Sequence, residues 1–272
     1  GISYILHEND LTAEITSSPT AKGNVFFQSC VNYESKKYKI TLIGDNAFAN
    51  SMIESISFPK DSYISRIGNS PFENSKITKF RIPAKLEKFN LTIFQDANNL
   101  EIVEVDPNNS NVSAKDNAVI FKEKVIIFVQ RSFSGDFYIQ SGISLIGNFA
   151  FSNMKNIQSI ISNFPTLKII SPYSFNKCEN LKIVSIKTKK LEVKNFGFFE
   201  LRNLISVELD CEELIINDNC FKNCTKLSKV LFNNVVKASF SKEAFNGCIN
   251  LSHFVITGAT SIALKDDTFC GA

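Results

Sequence analysis

The chain has 272 residues, of which 44% are hydrophobic and 21% charged, which is enough apolar sequence to bury a core in one or two domains. Its formal net charge of +3 is too small to indicate nucleic acid or an anionic membrane as the partner. The chain contains 25 Phe, two His and seven Cys. Two histidines leave few candidates for His-based catalysis, and an odd number of cysteines leaves one without a disulfide partner within the chain.

The N-terminal end carries no recognisable targeting signal. Gly1–Tyr4 has neither an initiator Met nor a basic region, and no apolar run along the chain approaches the ~18 residues of a membrane span. We therefore expect a mature fragment or a shortened piece of a longer protein, which is compatible with the loss of a native targeting signal.

The phenylalanines follow a repeat of about 23 residues, which is the period of a solenoid protein. The anchor Phe of each repeat is preceded, five residues earlier, by an apolar residue, as Ile43 precedes Phe48. A series with the spacing L-x-x-L-x-L follows, as in Leu181, Val184 and Ile186. The anchors are Phe48, Phe72, Phe94, Phe151, Phe175, Phe198, Phe221, Phe245 and Phe269.

Each repeat predicts a short strand, a turn, a second extended segment and a helical or irregular turn that carries the anchor Phe. One repeat cannot bury its own apolar face, whereas stacked repeats align the same positions into a continuous core. The expected fold is a repeat solenoid of the β-rich α/β class, a curved right-handed coil with strands on one face and short helical or irregular turns on the other. We expect the glycines after Ile43, Ile67 and Ile146 to favour a turn.

The repeats resemble the BspA-type leucine-rich repeat, whose consensus is roughly I-G-x-x-A-F-x-x-C-x-x-L-x-x-I-x-I-P. The similarity is visible in residues 43–48, 146–151 and 244–251. It implies an N-terminal β-rich cap over residues 1–39 and a solenoid of about nine repeats over residues 40–272.

The same resemblance implies a hairpin-containing insert near residues 106–140, within the long interval between Phe94 and Phe151. At the other end, Phe269–Ala272 stops just where another strand is expected. We therefore expect the last repeat to be truncated and the native protein to be longer.

The cysteines do not form a recognisable metal site. Cys178, Cys224 and Cys248 each lie three residues after an anchor Phe, so they are expected to stack as buried thiols in the coil interior. Side chains that point the same way from parallel coils have poor disulfide geometry. The cysteines expected to be exposed are Cys30, Cys211 and Cys270.

No catalytic constellation is evident. The two histidines, His7 and His253, belong to no nucleophile-base motif, and His253 is expected on the surface of a strand. No phosphate-binding loop or calcium-loop spacing is present. We expect no enzymatic activity, no cofactor and no metal.

The residues between the apolar positions of L-x-x-L-x-L are expected to point outwards and to align from repeat to repeat. The resulting columns mix charged side chains with exposed aliphatic ones, which is typical of a partner-binding face. The alternatives are that strands simply favour β-branched residues, or that the insert or the opposite face binds. The candidate residues are Ile102, Glu104, Ile161, Ile183, Glu208, Leu231, His253 and Val255.

The sequence alone predicts a protein-binding repeat module with no direct insertion into a membrane. The BspA-type resemblance implies a cell-surface adhesin or antigen whose partner is a protein or glycoprotein, for instance a matrix protein such as fibronectin or fibrinogen. An intracellular interaction scaffold is the alternative, because free cysteines and the missing signal are compatible with it.

Overall fold

The computed structural model describes residues 1–272 and contains 25 short β-strands and no helix. No segment therefore forms a helix long and apolar enough to cross a lipid bilayer. The chain divides into two compact units, here called the N-unit (Gly1–Glu123) and the C-unit (Lys124–Ala272).

The strands of the N-unit are β1 (Ser3–His7), β2 (Thr12–Thr16), β3 (Lys22–Phe26), β4 (Cys30–Tyr33), β5 (Lys36–Ile43), β6 (Met52–Ser57), β7 (Arg66–Ile67), β8 (Lys79–Ile82), β9 (Lys88–Phe89), β10 (Ile102–Val105), β11 (Val112–Lys115) and β12 (Ala118–Phe121). One sheet has the order β1-β2-β5-β7-β9, with β4 also paired to β5, and a second has the order β3-β6-β8-β10. The pairs β1/β2, β4/β5 and β11/β12 are antiparallel, whereas the pairs that join successive coils are parallel.

The strands of the C-unit are β13 (Val125–Val129), β14 (Gly135–Tyr138), β15 (Leu145–Ile146), β16 (Ile157–Ser162), β17 (Ile169–Ile170), β18 (Ile183–Lys187), β19 (Lys190–Val193), β20 (Ser206–Asp210), β21 (Glu213–Ile216), β22 (Lys229–Asn233), β23 (Lys237–Phe240), β24 (His253–Ile256) and β25 (Ser261–Leu264). The odd-numbered strands form one parallel sheet in chain order, and the even-numbered strands form another. Each coil therefore contributes one strand to each sheet.

The predicted apolar positions are in register between neighbouring coils. In the C-unit, Ile170 pairs with Val193, which pairs with Ile216 and then Phe240, and all four are buried. In the N-unit, Ile43 pairs in the same way with Ile67. The repeat solenoid and its continuous apolar core are confirmed.

The anchor phenylalanines form the centre of each coil. All of them are at most 3% exposed except Phe269, which is 36% exposed. In the C-unit, consecutive anchor rings from Phe151 to Phe269 lie 4.9–5.2 Å apart between centroids. This spacing matches the ~4.8 Å between neighbouring strands, so the rings stack as the backbone does.

Of the two forms predicted for the anchor segments, helical or irregular, the structure has irregular turns and no helix. Two residues adopt the left-handed conformation in every anchor segment except that of Phe94, which has only Asp96; Asn219 and Asn223, with φ of 57° and 61°, are an example. Left-handed residues on both sides of Phe221 prevent a right-handed helical turn from forming. The backbone N–H of Phe221 instead donates to the carbonyl of Ala244 in the next coil, at 2.7 Å.

The glycine after the first apolar position has a different role from the predicted one. Neither Gly44 nor Gly68 has a positive φ. A Cβ atom at Gly68 would lie 2.7 Å from the backbone nitrogen of Asp45 in the preceding coil. Glycine is therefore required by the close approach of two coils.

Candidate binding surface

The outward side chains of the even-numbered strands form two adjacent columns on the C-unit. Backbone pairing of β16, β18, β20, β22 and β24 sets their register, and strand alternation points them away from the core. One column contains Tyr138, Ile161, Ser185, Glu208, Leu231 and Val255. The other contains Asp136, Ser159, Ile183, Ser206, Lys229 and His253.

Apolar side chains on this surface, here called the strand face, are accessible to solvent. Ile183 is 48% exposed, and Ile161, Leu231 and Val255 are half-buried between their neighbours. Tyr138, which the sequence analysis did not identify, is 60% exposed at one end of the first column. Its strand, Gly135–Tyr138, lacks the complete L-x-x-L-x-L signature, so the repeat pattern alone did not reveal it.

Polar side chains on the strand face are held by contacts between coils. The Ser159 hydroxyl donates to Asp136 at 2.6 Å, and the Asn233 amide donates to Glu208 at 3.0 Å. At the end of the strands, Lys187 forms an ion pair with Asp210 at 3.4 Å. These contacts limit the side-chain motion that a partner would have to restrict on binding. The other predicted residue of this face, His253, is exposed on β24 as expected.

The remaining two predicted residues lie on the N-unit. Ile102 and Glu104 point outwards from β10, next to Lys79 and Arg81 of β8. Ile102 is 44% exposed, whereas Glu104 is half-buried and forms an ion pair with Lys79 at 2.6 Å. The N-unit thus presents an outward strand surface of its own that carries more charge than the strand face.

A shallow cleft of about 400 Å³ adjoins the strand face of the C-unit, where the turns leave the even-numbered strands. Lys187 and Asp210 line it on the strand side, and Thr188 and Asn234 line it on the turn side. The lining also includes Glu212 and the buried Cys211.

The cysteine positions are confirmed in part. Cys178, Cys224 and Cys248 are at most 1% exposed, and each thiol donates to the carbonyl of the anchor Phe in the preceding coil at 3.0–3.1 Å. Cys270 is exposed as predicted. The prediction for Cys211 was wrong, because this residue is 2% exposed and burial raises its pKa to about 12. Its position directly after β20 looks like an exposed turn in the sequence, but the following coil covers it.

No group of three or more His, Cys, Asp or Glu side chains lies close enough together to hold a metal ion. The Nε2 atom of His7 lies 3.9 Å from the carboxylate of Glu14. This pair of side chains includes neither a serine nor a cysteine nucleophile.

The unexpected charged residue is Arg131, whose guanidinium donates to the carbonyls of Val129 and Ala150 and lies over the ring of Phe128. Burial lowers its pKa to about 9, so Arg131 stays protonated at neutral pH and supports the backbone.

Comparisons with known proteins agree with this architecture. The sequence profile of the BspA type leucine rich repeat region matches residues 20–118 and 144–272, in six copies. A search of the curated proteins gave no significant match.

Two solved structures share the fold. A leucine-rich repeat protein from Eubacterium ventriosum is 19% identical, with a TM-score of 0.58, and the alignment covers 99% of this chain and 92% of that one. The pneumococcal vaccine antigen PcpA is 14% identical, with a TM-score of 0.50 and coverage of 98% and 89%. At these identities the likeness shows the fold alone.

Proposed function

The chain belongs to the BspA-type leucine-rich repeat family, and from this premise we propose that it is a non-enzymatic protein-binding module of a cell-surface adhesin or antigen. The strand face of the C-unit is its binding surface. The partner is a host-cell or extracellular-matrix protein or glycoprotein. The contact residues of this surface are Ile161, Ile183, Glu208, Leu231, His253 and Val255. Ile102 and Glu104 form a second contact surface, which belongs to the N-unit.

The observation that carries this proposal is the register of the outward columns. Strand pairing places Glu208 between Ser185 and Leu231, and Leu231 next to Val255. A pair of polar side chains therefore adjoins a pair of apolar ones on a surface fixed by backbone hydrogen bonds. A rigid, mixed surface of this kind binds proteins with little loss of conformational entropy.

The proposed location at the cell surface is supported by membership of the BspA-type family. Protease treatment of intact cells that express the full reading frame tests it. Cleavage of this region in intact cells is expected. Protection of the region until the cells are lysed would favour the intracellular scaffold.

The binding surface is tested by placing two carboxylates in its centre. Leu231→Glu combined with Val255→Glu adds negative charge next to Glu208 and removes apolar area, so affinity for the partner should fall about tenfold or more. Surface plasmon resonance with immobilised fibronectin and fibrinogen measures the effect, and a thermal melt checks that the fold is retained.

A matched control places the same charges on the other sheet of the same unit. Ile215→Glu with Ser239→Glu alters two paired, half-buried positions on β21 and β23. Binding should be unchanged in this control. Equal affinity of the Leu231/Val255 variant and the parent chain would remove the strand face from consideration, and failure of the parent to bind either protein would contradict the matrix-protein assignment.

A further inference from the structure

The sheet opposite the strand columns of the N-unit carries a concentration of positive charge. The register pairs Leu42 with Arg66 and Arg66 with Lys88 on β5, β7 and β9. Three residues before each of these lie Lys39, Tyr63 and Lys85. Arg66, Lys88, Lys39 and Lys85 are all exposed, so four cationic side chains occupy one surface, here called the basic face.

Two of these cations share a single aromatic ring. The Lys39 ammonium lies 5.1 Å, and the Lys85 ammonium 4.4 Å, from the centroid of the Tyr63 ring. The ring holds both ammonium groups by cation-π attraction, although like charges repel each other. An anion that contacts both ammonium groups would offset that repulsion.

The basic face is not neutralised by the protein itself. None of its four cations forms an ion pair, and residues 39–43, 63–67 and 85–89 contain a single carboxylate, Glu87. On the corresponding sheet of the C-unit, by contrast, Lys190 pairs with Glu213 at 2.8 Å and Lys194 pairs with Glu192 at 2.6 Å. Lys190 and Lys194 of the C-unit sheet thus have carboxylate partners, whereas the four cations of the basic face have none.

We propose that the basic face of the N-unit binds an anionic, sulfated polysaccharide chain. Three coils about 4.8 Å apart present the cations across a sheet, so a linear polyanion crossing the strands meets successive positive groups. This surface is separate from the strand face and takes a different class of partner from the one proposed above.

The shape and chemistry of the basic face favour a polysaccharide over other polyanions. Sequence-specific readers of duplex DNA insert a helix or β-ribbon into a groove, and this face consists of short strands within a sheet. Binding to a lipid surface uses large apolar side chains next to the cations, and none of the large exposed apolar residues lies on β5, β7 or β9.

Isothermal titration of the whole chain with a size-defined heparin oligosaccharide tests this proposal. The parent chain is expected to bind, with an affinity that falls as salt is raised. Lys39→Gln with Lys85→Gln should weaken binding about tenfold and reduce the salt dependence, because two ionic contacts are lost. Arg66→Gln with Lys88→Gln should have a similar effect and provides an independent second pair.

The matched control is Lys60→Gln with Lys76→Gln, which removes two exposed cations from the same unit outside the basic face. Its affinity should equal that of the parent. Absence of binding by the parent, or equal weakening in the control, would overturn the proposal. Tighter binding to a DNA duplex or to phosphatidylserine vesicles than to heparin would also overturn it, as would undiminished binding to desulfated heparin.

Discussion

The two units build their coils on the same repeat but fill them differently. In the C-unit, consecutive anchor rings from Phe175 to Phe269 are parallel to within 9°. In the N-unit, Phe48 and Phe72 lie 6.2 Å apart, and Phe80 from the strand series packs 4.9 Å from Phe72. Strand phenylalanines also pack on the anchors in the C-unit, as Phe254 packs 5.4 Å from Phe245. The comparison therefore teaches that the units differ in the spacing of the anchor rings, which is closer and more constant where the repeat length is 23–24 residues throughout.

The units also differ three residues after each anchor. Three of the six anchors of the C-unit have a cysteine there, and each of these thiols reaches the carbonyl of the preceding coil, as Cys224 reaches Phe198. The N-unit has Ser51 and Ser75; the hydroxyl of Ser75 bonds within its own coil to Phe72, and the buried hydroxyl of Ser51 has no partner. The thiols therefore link coils in a way that the serines do not.

The largest expected effect comes from removing a ring from the regular stack. Phe221→Ala should destabilise the protein by about 3–5 kcal/mol, because a fully buried side chain is lost together with stacking on two neighbouring rings. Phe72→Ala should cost less, since its contacts are less regular. Chemical denaturation of both variants measures the difference.

Phe164→Ala serves as the control for this comparison, because Phe164 is 41% exposed and lies outside the stack. Its stability should be close to that of the parent. A Phe221→Ala variant as stable as the parent would contradict the assignment of the anchor phenylalanines to the core.

A smaller effect is expected at the position that follows the anchor by three residues. Cys224→Ser should destabilise the protein by about 1 kcal/mol, because a more polar and shorter group replaces a thiol that bonds to the preceding coil. The reverse exchange, Ser75→Cys, should cost less, since the new thiol can make the bond between coils. Equal losses in the two variants on denaturation would show that this bond does not distinguish the units.

Thiol labelling is the prediction with the smallest expected effect on stability. It should give the largest difference in reaction rate, between exposed and buried cysteines. Cys30 and Cys270 should react with a thiol reagent at pH 8 in the native protein, whereas the five buried cysteines should react only after unfolding. Burial raises the pKa of Cys248 to about 12 from 9.0, so its thiolate is scarce at that pH. Rapid labelling of more than two thiols in the native protein would contradict this prediction.

The same pKa shift predicts a dependence of stability on pH. A thiol whose pKa is raised on folding contributes stability that is complete below pH 9 and is lost as the pH rises towards 12. Unfolding free energies measured in denaturant across this range test the direction, and replacing Cys248 with Ala should reduce the slope.

The repeat arithmetic predicted much of the fold because one physical requirement recurs in every coil. Anchor phenylalanines such as Phe198 must be apolar if stacked coils are to share a core. The same holds for the apolar positions of the L-x-x-L-x-L series, such as Val207. The helical form of the anchor turn was the wrong alternative, because the local sequence describes a segment in isolation from the neighbouring coils. In the structure, left-handed residues such as Asn223 direct N–H groups to the next coil.

The candidate surfaces were less predictable. The outward columns of the strand face follow from alternation, but the exposure of Tyr138 and the burial of Cys211 depend on neighbouring coils that have irregular sequences. The basic face combines residues from three coils that belong to no repeat consensus, so composition and a net charge of +3 concealed it.

The sequence by itself determined the period, the identity of the core positions and the side of each strand that faces outwards, because these depend on spacing along the chain. The tertiary structure decided which charges are paired, which thiols are covered and which aromatic ring lies beneath two ammonium groups. Those features depend on distances between coils, and such distances exist only once parallel strands have brought residues some 23 positions apart into contact.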